Sequence, residues 1–154
     1  MRIYHITRRR MIVTAAALVL VAGLSIMLAG CHGKEDTAKQ TGILAATDAD
    51  RIAFLEDLGW QVDGEPMETL DLQLPEDLAD SWAEYVALQT GQGLPFANYA
   101  GQNVRRYTYR INNYPSVTKG VQANLYLCGD EIIGGDIIST GKNGFQAGLQ
   151  FPES

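Results

Sequence analysis

The chain has little of what hydrolases and metalloenzymes commonly use at a reaction centre. Its 154 residues include two cysteines, Cys31 and Cys128, and two histidines, His5 and His32. Both histidines lie near the start, so a histidine-based triad or a His/Cys zinc site in the body of the chain is excluded. Two cysteines also exclude a disulfide-dense scaffold. Bases are scarce, 12 Lys and Arg against 18 Asp and Glu, and four of them (Arg2, Arg8, Arg9, Arg10) fall in the first ten residues. There is no internal repeat and no low-complexity segment.

What is present begins with a basic head followed by an uncharged, mostly apolar run from Met11 to Met27. That order of features marks a secretory signal. The run is at the short end for a membrane span, so length alone leaves a retained helix open. The residues that follow, Leu28-Ala29-Gly30-Cys31, form a lipobox and resemble the bacterial lipoprotein signal. The resemblance implies a diacylglyceryl group on the Cys31 thiol, cleavage before Cys31, and acyl chains such as palmitate that hold the protein at the membrane. Two acyl chains suffice for stable anchoring where one gives marginal binding.

The expected organisation is a signal peptide over 1–30, a flexible tether over 31–46 and one globular domain over 47–154. Loss of the signal removes four bases and no acid. The mature charge is then 8 − 18 = −10. This bears on "NVRRYTYRINNYP", where arginines alternate with tyrosines as they do in strands that bind nucleic acid. Such binding relies on cations that displace counterions from phosphates. An extracytoplasmic protein this acidic is not expected to do so, and the stretch reads as an ordinary sheet strand. With Cys31 acylated, no disulfide within the body is expected either.

"TDADRIAFLEDLGW" reads as a helix capped at Thr47 or Asp48, with Ile52, Leu55 and Leu58 at helical spacing and Gly59 as its stop. A short alternating stretch follows at Trp60 and Val62. "METLDLQLP" is a strand with Leu70, Leu72 and Leu74 on one face. A second helix is expected from Pro75, presenting Leu78, Trp82, Tyr85 and Gln89. Strands follow at 104–112, 121–128 and 131–139. Gly129-Asp130 forms the hairpin between the last two, and "GFQAGLQF" adds an edge strand. Helices early and strands late argue an α+β fold, two helices packed on one face of a mainly antiparallel sheet of four to five strands.

The order "FLEDLGWQV", "YVALQTGQGLPFANYAGQNVRRYTYRINNYP", "IIGGDIIS", "GFQAGL" resembles domain of unknown function 4830, across about Arg51 to Leu149. The resemblance implies a small exported or lipid-anchored protein of Gram-positive, chiefly clostridial, type. It implies no activity.

No catalytic residue, cofactor or metal site is assigned. Twelve acids and one base lie between Asp48 and Glu84, at helix starts and on polar faces, which reads as solvated surface. Asp130, Glu131 and Asp136 lack the spacing of a calcium loop. Gly134-Gly135 interrupts a strand, which points to a bulge or a close backbone approach. In the 104–112 strand Tyr107, Tyr109 and Ile111 alternate as a buried face, leaving Arg106, Thr108 and Arg110 opposite. With Asn124 and Tyr126 of the next strand, these define a polar sheet face. Arg106, Arg110, Asn124 and Tyr126 are the candidate binding surface, for an envelope protein or an anionic wall polymer. The expected function is non-catalytic binding at the outer face of the cell membrane. The alternative is a carboxylate-dependent hydrolase acting on wall material, which needs two carboxylates facing across a cleft.

Overall fold

Residues 42–115, 117, 119–141 and 144–153 are described by the computed structural model. The signal segment, Cys31 and the tether up to 41 lie outside the described residues. In chain order the elements are β1 (Ile43–Leu44), α1 (Asp48–Asp57), β2 (Glu68–Gln73), a 3-10 turn (Asp80–Trp82), α2 (Ala83–Gly91), a second 3-10 turn (Phe96–Tyr99), β3 (Asn103–Arg110), β4 (Val121–Cys128), β5 (Glu131–Ser139) and β6 (Gln146–Ala147). The strands form one antiparallel sheet in the order β1-β5-β4-β3-β2, with β6 also on β5. The α+β class stands.

Thr47 caps α1 through a capping box. Its hydroxyl accepts from the Asp50 N–H at 3.2 Å, and the Asp50 carboxylate accepts from the Thr47 N–H at 2.9 Å. Gly59, at φ +96, ends the helix where a side chain would be strained. The stretch after it makes a single bridge, Val62 to Ile111, instead of a strand. Ile43–Leu44, assigned to the tether, pairs with β5, and Ala45 is fully buried, so the folded body begins earlier than expected.

The second helix starts later than Pro75 suggests. The Ala79 N–H donates to the Asp77 carboxylate at 2.8 Å, and Asp80 sits at φ +54. A side chain that bonds its neighbouring backbone offers the chain a turn in place of a helix. Regular helix appears only from Ala83.

The helices divide between the two faces of the sheet, which corrects the expectation that both share one. Ile52, Phe54 and Leu58 of the α1 region pack with Tyr109, Ala123, Leu125, Leu127, Ile132 and Ile137. Trp82, Tyr85 and Val86 of the α2 region pack with Leu74, Phe96, Val104, Tyr126 and Ile133. Both sets of alternating residues in β4 are therefore covered. Cys128, expected to stay outside any disulfide, is 3 % exposed and is not free.

The paired glycines mark a bulge. Tyr126 pairs with Gly134 and Leu127 with Ile132, so Ile133 is the extra residue. The close backbone approach is internal. A Cβ on Gly134 would lie 2.6 Å from Phe96 Cδ2, and one on Gly135 2.8 Å from the Asn124 carbonyl oxygen. Two glutamines of the α2 region seize the same spot. Gln89 Oε1 accepts from the Gly135 N–H at 2.8 Å, and Gln92 Nε2 donates to the Gly135 carbonyl at 3.0 Å.

Candidate functional site

Strand alternation does bring the expected surface residues onto one face. Arg106 lies opposite Tyr126, Thr108 opposite Asn124, and Asn124 opposite Asp136. That face is not open. Asn124 is 5 % exposed and Tyr126 9 %, both beneath the α2 region. Neither can meet a polymer from solvent. Arg106 pairs with Glu68 on β2. Arg110 lies at the far end of β3, largely exposed, with Nε 3.7 Å from Asp63.

What lies under α2 is instead a buried polar group of side chains. Thr108 Oγ1 donates to Asn124 Oδ1 at 2.8 Å, and Gln146 Nε2 donates to Asp136 Oδ2. Burial pushes the Asp136 carboxyl above the ordinary value. Burial and the nearby Asp136 charge push the phenols of Tyr85 and Tyr126 up as well. Asp136 entered the sequence analysis only as one of three acids without calcium-loop spacing. Its burial follows from Asn124 and Gln146 on neighbouring strands, which no local pattern reveals.

The opposite face carries an open cleft that sequence reasoning missed. It has a volume of about 590 Å³ and is lined by residues including Arg51, Asp71, Gln73, Arg105, Tyr107 and Asp130. Arg51, the single base in the acidic run, builds its wall. It is 4 % exposed. Its guanidinium donates to the Ala45 and Ala46 carbonyls at 2.9 and 3.1 Å and to Tyr109 Oη at 3.0 Å, and it pairs with Asp48. It also covers the Tyr107 ring at 3.8 Å, a cation–π contact. The sequence signal was there to find: an isolated base three residues after an acid, on the side of α1 that carries Leu55.

On the cleft floor Arg105 makes a two-bonded pair with Asp71, at 2.6 and 3.0 Å. That bond holds the Asp71 carboxyl below the usual range. All four arginines among the described residues are in ion pairs with acids. Asp130, also on the lining, has no ion-pair partner among the described residues. A smaller hollow of about 470 Å³ near the other end of β3 is lined by residues including Met67, Arg110 and Lys119. Among the described residues no group of three or more His, Cys, Asp or Glu could hold a metal, and no helix is long and apolar enough to cross a membrane.

The architecture is that of a small α+β domain, a two-sided antiparallel sheet with a polar cleft beside α1. A family model described as a domain of unknown function (DUF4830) matches residues 54–137, more than half of the chain. The chain belongs to that family. No curated protein matches the sequence, and no solved structure does.

Proposed function

We propose that this protein is a non-catalytic binding module, held at the outer face of the cell membrane by lipid on Cys31, whose binding site is the cleft beside α1. One observation carries the reading: the cleft is open, polar and built on rigid strands and a pinned arginine, features of a preformed site. A hydrolase working through carboxylates needs one acid with a raised pKa in the cleft. The carboxyl raised by burial, Asp136, is under α2 and outside this lining, while Asp71 in the cleft is held low. The ion pairing of the arginines also removes the free positive charge an anionic polymer would seek. A protein segment of the envelope fits the cleft better.

The test is capture of partners from membranes by the intact chain and by Gln73→Arg/Asp130→Arg, which crowds the cleft with charge. Loss of a partner in the variant supports the reading; equal capture removes the cleft from it. Anchoring is tested by labelling with a fatty-acid analogue, and undiminished incorporation in Cys31→Ser excludes that thiol. Acylation of Cys31 and an intramolecular disulfide exclude one another in a chain with two cysteines. The acylated form must therefore show no such bond.

A further inference from the structure

The two edges of the sheet are finished differently. The outer edge of β5 is covered by β1 at one end and by β6 at the other. The outer edge of β2 carries no strand among the described residues. We propose that this bare edge takes an extended, basic segment of a partner protein as an added strand, whose alternate side chains enter the cleft. The inference rests on the reading of the cleft as a binding site and names the partner's chemistry.

Native sheets blunt an exposed edge with proline, lysine, bulges or very short strands. From Glu68 to Gln73, β2 has none of these: six residues, without Pro or Lys, in unbroken register with β3. Its acids lean back onto the sheet, Glu68 to Arg106 and Asp71 to Arg105, so they do not guard the edge. Met67 and Leu70 are 49 % and 43 % exposed there, apolar surface that an added strand would cover. Leu74 N–H donates to the Gln102 carbonyl at 2.9 Å. Antiparallel ladders alternate, so Thr69, Asp71 and Gln73 turn their amides and carbonyls off the edge.

The same segment of β2 lines the cleft, through Asp71, Leu72 and Gln73. A strand laid along it gains backbone hydrogen bonds from the edge and side-chain recognition from the cleft, the two parts of strand-addition recognition. Charge selects the guest. Glu65 precedes β2, and Glu76 and Asp77 follow it, all outside the ion pairs. A lysine or arginine near either end of the added strand meets Glu65, Glu76 or Asp77; an acidic strand meets repulsion there.

The experiment uses the full chain in detergent, followed by amide proton–nitrogen shifts. The probe is a synthetic octapeptide of alternating valine and lysine. Its controls are the valine–glutamate octapeptide and the valine–lysine octapeptide N-methylated at every second residue. The expected result is shifts at Thr69, Asp71 and Gln73 with the first probe. Affinity should fall about tenfold on N-methylation, as for the loss of one or two backbone hydrogen bonds. Thr69→Pro should lose a similar factor, and Glu65→Gln/Glu76→Gln a smaller one with lysine probes alone. N-methylation acts on the peptide, so the result survives if Thr69→Pro does not fold. Equal binding of the N-methylated or the acidic octapeptide overturns the inference. Shifts confined to Arg51, Tyr107 and Asp130 leave the cleft as a binding site and remove strand addition. No shift at a probe concentration of about 1 mM, the weak end of specific affinity, also overturns it. The cleft reading is then decided by the membrane capture alone.

Discussion

The two faces of the sheet use polar residues in opposite ways. Under α1, Arg51 is buried with each of its three guanidinium nitrogens bonded, to carbonyls, a tyrosine and an aspartate. Under α2, Tyr85, Tyr126 and Asp136 are buried close together, and burial raises the pKa of each. A buried group that is fully bonded fixes a geometry, whereas one left unbonded costs roughly 1–3 kcal/mol. The first face is thus built to hold its cleft rigid. The second holds its polar groups inside a packed core. The side chains beside α1 are open to solvent, whereas the polar residues under α2 are covered.

Removing the anchors of the first face should produce the largest losses. Trp60 is 1 % exposed, stacks on Tyr114, meets a tilted Phe151 ring, and donates through Nε1 to the Leu149 carbonyl at 2.6 Å. Trp60→Ala should cost about 3–5 kcal/mol in urea unfolding. A loss below about 1 kcal/mol would show that this end of the core is dispensable.

Arg51→Met keeps the length and apolar stem but strands two carbonyls, the Tyr109 hydroxyl and Asp48. It should cost about 1–3 kcal/mol, the penalty of leaving buried carbonyls and a hydroxyl without their donor. It should also loosen Tyr107, seen as faster hydrogen exchange along β3. If stability holds, the wall of the cleft is not set by this side chain.

The second face is probed through backbone space and then through pH. Gly134→Ala drives a Cβ against Phe96 and should cost about 1–3 kcal/mol, an overpacking effect. Asp136 has its folded pKa raised by burial. Between the unfolded value near pH 4 and the higher folded value, the folded state holds the proton that the unfolded chain has lost. Stability should therefore fall as pH rises through that window and stay reduced above it. Asp136→Asn should flatten that fall and gain stability at neutral pH. An unchanged pH profile would show that Asp136 is not buried as a carboxyl.

The smallest effect belongs to the exposed pair on the cleft floor. Arg105→Gln should scarcely move the midpoint of thermal unfolding, and that small change should vanish in high salt, because exposed pairs are screened. A large, salt-insensitive loss would mean that the pair organises the cleft more than its exposure allows.

Much of this fold was legible from local pattern. Thr47 with Asp50 wrote the start of α1, Gly129-Asp130 wrote the hairpin, and the Ile pairs around Gly134-Gly135 announced a bulge. The candidate site was less legible. Arg106, Asn124 and Tyr126 were correctly grouped on one face, yet that face is covered. Helix α2 could not be placed from its own stripe, because Trp82, Tyr85 and Val86 would pack equally well on either side of the sheet. Arg51 looked like one base among acids until the strands brought Tyr107 and Tyr109 beneath it.

The sequence by itself determined most of the elements, the period-2 grouping of β3 and β4, the family and the acidic balance, since these depend on residues near one another in the chain. Tertiary structure alone decided which face is covered, which arginines are neutralised and where a cleft remains. Those outcomes depend on contacts such as Arg105 with Asp71 and Gln89 with Gly135, more than thirty residues apart. Alternation tells which side chains share a side; only packing tells whether that side meets water.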